Sequence, residues 1–347
     1  MYVSPGNVPF LLADTLVSIN GQPRSCSSLP STVNESSRSV DDEIPLARKL
    51  YILSNYTAIA VAGTEVSISD FLQTVKGLIG IFELDERPMR RVGDLANQYT
   101  NLEVIGAYVC RTTDGGWSNN ILSPRGTIEI TNYNICAYAG SGGGEMSVMV
   151  EEYGSGLTGA RIVNPYELMR GTVGALNNHK IKKEVFQLDN DSSWGGYIEC
   201  LMFDVNEFCW RRTFRSMHFF ATVSENDPRS LLMAFEQKYI CYDPGDKHGR
   251  FMVLDLRGTT FRYEWVFYDL LNPSHTCMYS SDFWRSWRPE TATITAIKHD
   301  TDAFVTKTLN LDEMSDVIFE LDAGVIHAGL KDSFFRKFAA ETLSFWR

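Results

Sequence analysis

The sequence predicts an α+β fold in which two antiparallel sheets are stacked between layers of helices. Over the first 205 residues, strand-like segments occur in groups: two or more strands, two helices, more strands, two helices and a further strand. A parallel α/β sheet would require strands and helices that alternate strictly. The turn residues Pro5-Gly6-Asn7 also favour a hairpin, which joins antiparallel strands.

Composition limits the classes of function. The chain has 347 residues, enough for one large domain or two ordinary ones, and its hydrophobic share of 44% is that of a globular protein. Its formal net charge of −11 argues against a nucleic-acid partner, because no basic stripe would neutralise phosphates. No apolar run approaches the roughly 18–20 residues that span a bilayer, so we expect no membrane partner.

The cysteines and histidines show no binding pattern. The seven cysteines form no Cys-x-x-Cys pair, and most lie in apolar segments, as buried thiols do. The six histidines lack the spacing of metal ligands, so we expect no metal and no cofactor. The first residues lack the basic start and apolar core of a secretory signal, and the expected location is cytoplasmic.

The N-terminal segment predicts a β-hairpin followed by a loop. Residues 9–19 combine apolar and β-branched residues around one aspartate, Asp14, and residues 1–4 can pair with them across the turn. Pairing residue for residue across this turn would place Asp14 opposite Met1. Residues 21–45 are rich in Ser, Pro, Asn and Asp, and they predict a long surface loop.

The stretch LARKLYILSNYTAIAVAG, residues 46–63, predicts two strands that are preceded by a basic pair and end on Ala-Gly. The strands are expected at 49–53 and 57–62. A helix follows, with Ser67 or Ser69 as its N-cap. Its apolar stripe has helical spacing and consists of Phe71, Leu72, Val75, Leu78 and Ile79.

Further elements complete the first part of the chain. The patterns predict helices at 92–97 and 165–178, and strands at 103–110, 127–130, 133–139 and 192–205. The glycine run 140–144 comes before another helical segment. It lacks the Lys-Ser/Thr of a phosphate-binding loop and the glycine spacing of a dinucleotide fold, so a nucleotide site is disfavoured.

The second part, residues 206–347, predicts a mixed α+β region of no recognised type. Strands are expected at 217–223, 250–257, 261–268, 292–298 and 316–321, with helices at 228–238 and 332–347. The last helix has an apolar face formed by Phe334, Phe335, Phe338, Leu343 and Phe345. Aromatic residues near the start of this part supply either assembly contacts or core: Phe203, Phe208, Trp210, Phe219 and Phe220.

Four segments, in order, resemble the proteasome-type N-terminal-nucleophile (Ntn) hydrolases, the family of proteasome β subunits. These segments are LLADTLVS, RKLYILSNYTAIAVAG, AYAGSGGGEMSVMVEEY and DNDSSWGGYIE, and they cover roughly residues 1–205. The resemblance implies a four-layer αββα sandwich for residues 1–205, with 206–347 as a C-terminal extension. It also implies a homo-oligomer.

The resemblance assigns roles to five residues. Lys49 matches the lysine that lowers the pKa of the nucleophile, and Asp14 matches the carboxylate that pairs with it. Gly63 matches the donor of the N–H that stabilises an oxyanion. Ser141 and Asp191 match the residues that hold the terminal amine, which takes the proton of the nucleophile.

The sequence also departs from the family pattern. Asp189 is an alternative match to Asp191, and Trp194 stands where the family usually has serine. Ser141 could instead cap the following helix. The main departure is Met1, which falls where the family has its Thr, Ser or Cys nucleophile.

Three hypotheses follow from these departures. The first is a non-catalytic protein, a pseudoenzyme, that acts by self-assembly or by binding a partner. The alternative is an active peptidase or amidohydrolase of the threonine type, acting on a peptide or amide substrate, whose nucleophile is exposed by a different start or by processing. The third is an unrelated α+β fold. Three alternatives follow for Lys49 and Asp14. They form a structural ion pair, they form a catalytic pair, or they do not touch.

Limited proteolysis tests the predicted loop. Residues 21–45 cannot bury enough apolar surface to offset the entropy cost of ordering them, so we expect the first cleavage of the N-terminal part within this range. N-terminal sequencing of the fragments locates the cut. A first cut elsewhere in residues 1–205, with 21–45 intact, would contradict the prediction.

Overall fold

The computed structural model describes residues 2–3, 8–15, 47–78, 86–131, 134–148, 165–185, 194–223, 238–245, 249–255, 261–267, 269–271, 281–298, 304–322 and 325–346. The chain divides into two compact units. The first comprises 1–213, 246–249 and 267–274, and the second comprises 214–245, 250–266 and 275–347. The main boundary between the units lies at 213/214, after a strand that pairs with residues 201–204.

The first unit contains ten strands and four helices among its described residues. The strands are β1 (Tyr2–Val3), β2 (Phe10–Asp14), β3 (Leu50–Ile52), β4 (Thr57–Gly63), β5 (Leu102–Arg111), β6 (Trp117–Leu122), β7 (Thr127–Thr131), β8 (Asn134–Tyr138), β9 (Ile198–Asp204) and β10 (Cys209–Arg212). The helices are α1 (Glu65–Lys76), α2 (Glu86–Ala96), α3 (described over 143–148) and α4 (Pro165–Val185).

The strands of the first unit form two antiparallel sheets. Sheet A has the order β10-β9-β2-β1-β8-β7, and sheet B has the order β3-β4-β5-β6. The expected hairpin of β1 and β2 is present, but its register differs from the prediction. Tyr2 pairs with Leu11, where pairing of Met1 with Asp14 would have required Ala13. Val3 pairs with Phe10, so six residues separate these paired positions, two fewer than the expected register requires.

Apolar side chains of sheets A and B meet in one cluster. Leu11 and Phe203 of sheet A lie in it together with Leu50, Ala60 and Ile105 of sheet B. The other face of sheet B packs against α1 and α2 through a second cluster. Helix α4 contacts sheet A, where the backbone N–H of Ile198 donates to Asn177 of α4. These contacts follow from the alternation of side chains along each strand, which gives each sheet two faces to cover.

Helix α1 begins one turn earlier than expected. Its N-cap is Thr64, whose Oγ1 accepts from the N–H of Ser67, and neither Ser67 nor Ser69 caps it. The predicted apolar stripe is buried at Phe71, Leu72 and Val75. Residue 79, and the predicted loop 21–45, lie outside the described residues.

Among its described residues, the second unit contains a six-stranded sheet, a two-stranded sheet and two α-helices. The elements are β11 (Ser216–Val223), β12 (Lys238–Asp243), β13 (Gly249–Asp255), β14 (Phe261–Phe267), α5 (Ser281–Ser286), β15 (Thr291–Lys298), β16 (Phe304–Thr308), β17 (Val317–Asp322), β18 (Val325–Leu330) and α6 (Asp332–Trp346). The larger sheet has the order β14-β13-β12-β11-β15-β16, and β11 and β15 run parallel. Gly249 and Phe267, at strand ends, are grouped with the first unit.

The predictions for the second part have mixed outcomes. The helix expected at 228–238 lies outside the described residues except for Lys238, which begins β12. The apolar face of α6 buries Phe334, Phe335 and Phe338, but Phe345 is 76% exposed. Of the aromatic residues considered for assembly contacts, four are core: Phe203, Trp210, Phe219 and Phe220. No described helix is long and apolar enough to cross a membrane.

Phe208 adopts a backbone conformation that bulky residues rarely occupy. It lies in the turn between β9 and β10 with φ of 52°, the one positive φ among the described non-glycine residues. Asp204 Oδ1 closes this turn by accepting from the N–H groups of Asn206 and Glu207. The ring packs edge-on against Phe203, and the Arg111 guanidinium lies 4.2 Å from its centroid. These contacts offset the backbone strain.

Replacing Phe208 separates the strain from the ring contacts. Phe208→Gly and Phe208→Ala both lose the ring, but glycine tolerates positive φ, so Phe208→Gly should be the more stable variant by about 1 kcal/mol. Urea denaturation measures the difference. The same pair of substitutions at Glu207 is the control, where alanine should be the more stable. Equal stabilities of the two Phe208 variants would contradict the strain.

Candidate functional site

One cavity of about 400 Å³ contains four of the five residues to which the sequence assigned a role. Asp14, Lys49, Gly63 and Ser141 all line it. They come from the end of β2, the residue before β3, the end of β4 and the loop after β8. Asp191 and its alternative Asp189 lie outside the described residues. All the lining residues belong to the first unit.

Asp14 and Lys49 form a close ion pair. Lys49 Nζ lies 2.8 Å from Asp14 Oδ1, and the two side chains are only 13% and 14% exposed. The second carboxylate oxygen of Asp14 accepts from the N–H of Gly195 at 3.0 Å. The alternative in which the two side chains do not touch is therefore wrong. The pair is held in one geometry, because both oxygens of Asp14 have donors.

The end of β2 is fixed by the segment that leads into β9. The N–H of Thr15 lies 3.2 Å from the carbonyl oxygen of Gly195 and 3.0 Å from that of Tyr197. In return, the N–H of Tyr197 donates to Thr15 Oγ1 at 2.9 Å. These bonds hold the backbone next to Asp14, so the direction of its side chain depends on residues 195–197.

The alternation of hydrogen bonds along β4 directs the N–H of Gly63 towards the side of Lys49. The N–H of Thr64 donates to Asn101 on the β5 side, and the N–H of Val61 donates to Lys49 on the β3 side. Because successive N–H groups of a strand point to opposite sides, that of Gly63 points to the same side as that of Val61. It thus lies one step beyond Lys49, at the edge of the cavity.

Glycine is required at position 63. Its φ is +147°, and a Cβ built there would lie 2.2 Å from the carbonyl oxygen of Asn101. The N–H of Thr64 donates to that same oxygen at 3.2 Å. A side chain would therefore displace the loop that leads into β5.

The loop Gly140-Ser141-Gly142 forms another wall of the cavity. The N–H of Gly140 donates to Glu103 Oε2, and Gly140 has φ of +80°. The carbonyl of Gly142 accepts the first helical bond, from Met146, so Gly142 is the N-cap of α3. Ser141, exposed on the loop, precedes the cap and faces the cavity.

Trp194 packs against this glycine loop. It is buried, and its Nε1 donates to Glu145 Oε2 at 2.6 Å. A Cβ on Gly142 would lie 2.6–2.7 Å from atoms of the Trp194 side chain. The bulky side chain of Trp194 thus fills space that Gly142 leaves, and it supports the loop that carries Ser141.

Arg125 lines the cavity and was missed by the sequence reasoning. Its guanidinium donates to the carbonyl oxygens of Asn97, Thr100, Leu102 and Tyr99 in the loop before β5. This loop carries Asn101, which contacts the Gly63–Thr64 corner. The sequence contains no local signal for this role, since Arg125 lies over 20 residues from its acceptors.

A buried charge network adjoins the Asp14–Lys49 pair. Glu199 is 1% exposed, with Arg48 Nε at 3.4 Å and Arg212 at 3.7 Å from its Oε1. Its Oε2 accepts from the backbone N–H of Lys49 at 3.3 Å. Burial raises the pKa of the Glu199 carboxyl, and the two guanidinium groups oppose that rise. The signal in the sequence is a glutamate within the apolar strand YIECLMF.

The described residues contain no group of three or more His, Cys, Asp or Glu side chains that could hold a metal ion. The cavity lining combines apolar side chains with polar and charged ones, among which Lys49, Asp14 and Ser141 are described above.

Comparisons with known proteins give a distant structural likeness. No family model matches the chain, and no curated protein does. Among solved structures, the chain is similar to eukaryotic HslV from Trypanosoma brucei, with 16% sequence identity and a TM-score of 0.30. That match covers 57% of this chain and 96% of the HslV chain.

Alanine at position 63 should destabilise the fold more than alanine at another glycine of positive φ. Gly115 has φ of +84° and open space around its Cβ position, so Gly115→Ala should cost only about 1 kcal/mol of backbone strain. Gly63→Ala adds a clash, for a total of roughly 2–4 kcal/mol. Urea denaturation compares the two variants, and equal costs would contradict the close approach of Asn101.

Proposed function

We propose that the first unit is a hydrolase of the proteasome-type Ntn class and that its cavity cleaves an amide bond. The observation that carries the proposal is the Asp14–Lys49 ion pair inside the cavity, beside the N–H of Gly63. The packing of α1 and α2, sheet B, sheet A and α4 supports a four-layer αββα sandwich for this unit.

Each group has a chemical task in the proposed reaction. The ammonium of Lys49 lowers the pKa of a nearby hydroxyl or thiol, because a positive charge favours the ionised form. Asp14 holds that ammonium in position. The N–H of Gly63 stabilises the oxyanion that forms when the nucleophile attacks the amide carbonyl, and Ser141 binds the terminal amine, which acts as the base.

The register of β1 bears on the nucleophile. Tyr2 pairs with Leu11 of β2 and with Ala137 of β8. Each step back along β1 is matched by one step forward along both neighbours, so Asp14 and Gly140 would face a position two residues before residue 1. Met1 is therefore not the residue that this register sets opposite Asp14. We therefore propose that β1 of the active form extends past residue 1 and carries the nucleophile at its terminus.

The second candidate function is non-catalytic self-assembly. Its support is exposed apolar surface on the first unit, where Val66 of α1 is 71% exposed and Val148 of α3 is 54% exposed. If the native protein begins at Met1, the ion pair contributes to stability alone, and the protein acts as a homo-oligomer or by binding a partner. A homo-oligomer is compatible with both candidates.

The test begins with the N-terminal sequence and intact mass of the protein from its native source. A Thr, Ser or Cys terminus upstream of residue 1 is expected. That form should add one molecule of an electrophilic peptide probe directed at N-terminal nucleophiles, and the chain beginning at Met1 should add none. Lys49→Met should slow the addition by a factor on the order of 10² or more, since it removes the activating charge.

Lys307→Met is the matched control for Lys49→Met. Lys307 forms an ion pair of the same kind, 2.7 Å from Glu313 Oε1, but it lies in the second unit. Its replacement should leave the rate of probe addition unchanged. A native terminus at Met1 without probe addition would favour self-assembly. Probe addition to the chain beginning at Met1, abolished by Lys49→Met in a folded protein, would show that a different residue is the nucleophile.

A further inference from the structure

Hydrogen bonds hold the backbone of Lys49 and of its two neighbours in the chain. The carbonyl of Arg48 accepts from the Tyr51 hydroxyl at 2.6 Å, and the carbonyl of Leu50 accepts from the Arg212 guanidinium at 3.3 Å. The N–H of Lys49 donates to Glu199, and its carbonyl accepts from the N–H of Val61 at 2.9 Å. The side chain of Lys49 takes no part in these backbone hydrogen bonds and extends to the cavity, where it pairs with Asp14.

One segment, residues 195–199 at the start of β9 and just before it, contacts both partners of the Asp14–Lys49 pair. The N–H of Gly195 donates to Asp14 Oδ2, and Glu199, four residues later, accepts from the N–H of Lys49. In the pairing of β2 with β9, Ile198 lies opposite Asp14 and Glu199 opposite Ala13. The distance between the backbones of Asp14 and Lys49 is therefore set through residues 195–199.

A gain in stability does not explain why the charges of Arg48 and Glu199 are buried. Arg48 is fully buried and Glu199 is 1% exposed. Replacing such a pair by apolar residues of similar volume is often neutral or stabilising, because the cost of removing both charges from water is avoided. What an apolar pair would not supply is an acceptor for the N–H of Lys49.

We infer that Glu199 is a positioning residue that holds Lys49 against Asp14 through the backbone N–H of Lys49. The carboxylate accepts from the N–H of Lys49 with Oε2, and its Oε1 forms ion pairs with Arg48 at 3.4 Å and with Arg212 at 3.7 Å. The effect on catalysis rests on the proposed function, but the positioning itself is a property of the folded chain and is measurable without a reaction.

Two double variants isolate the acceptor. Arg48→Met/Glu199→Gln removes both buried charges and keeps a side-chain oxygen for the N–H of Lys49, whereas Arg48→Met/Glu199→Met removes that oxygen as well. The measurement is the rate at which an acylating reagent for amines modifies Lys49, followed by peptide mass spectrometry. Lys76, exposed in the last turn of α1, serves as the internal reference.

Labelling of Lys49 relative to Lys76 should stay within about twofold of the wild type in the glutamine variant. It should rise about tenfold in the methionine variant, the effect of one lost hydrogen bond. Leu72→Ala, in the cluster behind sheet B, controls for a general loss of stability and should not raise the labelling ratio. Equal Lys49 labelling in the two folded double variants would overturn the inference.

Amide hydrogen exchange of the unmodified protein provides a second test that requires no variant. The N–H of Lys49 should exchange as slowly as that of Val61 in β4. Exchange as fast as that of Gly116, in the exposed turn between β5 and β6, would also overturn the inference. A failure of the proposed function would appear separately, as absence of probe addition while the labelling pattern is as expected.

Discussion

The first unit depends on a single carboxylate that is buried between two arginines where its two sheets meet. Glu199 belongs to sheet A, and Arg48 and Lys49 enter β3 of sheet B. A charge without water must keep its partners, since the loss of one leaves an uncompensated buried ion. The sheets are thus held to one alignment at this point. Apolar side chains between them contribute most of the burial energy, but apolar contact has no direction and would tolerate a shift that Glu199 does not.

The geometry of the cavity follows from that alignment by a short series of backbone contacts. Glu199 holds the N–H of Lys49, and the carbonyl of Lys49 holds the N–H of Val61. Two residues later along the same strand, Gly63 presents its N–H on the same side as Val61. Another part of the cavity wall is stabilised by Arg125, whose guanidinium donates hydrogen bonds to backbone carbonyl oxygens of the segment that leads into β5. A charged side chain and a backbone donor therefore reach the same cavity from rigid elements, as a preorganised site requires.

Local sequence patterns predicted the parts of this arrangement that depend on residues close together in the sequence. Apolar periodicity predicted β3, β4 and the stripe of α1, and the resemblance drew attention to Asp14, Lys49, Gly63 and Ser141. The register of β1 was missed because the length of a connection, and not turn residues alone, decides which residues pair. Contacts such as Arg125 with Thr100, or Trp194 with Glu145, join residues over 20 positions apart and leave no local pattern. Phe345 was misplaced because a wide apolar stripe on a terminal helix extends past the core it covers.

The two sets of charged side chains near the cavity differ in whether they line it. The Arg48–Glu199–Arg212 network lies behind the cavity wall, and the Asp14–Lys49 pair lines the cavity. An ion pair at such a boundary contributes less to stability than its distance suggests, because removing its charges from water offsets much of the attraction. A fold selected for stability alone could fill this position with the apolar residues that surround it. Lys49 is instead held at its backbone by one carboxylate and at its side chain by another, which is the arrangement that the proposed function requires.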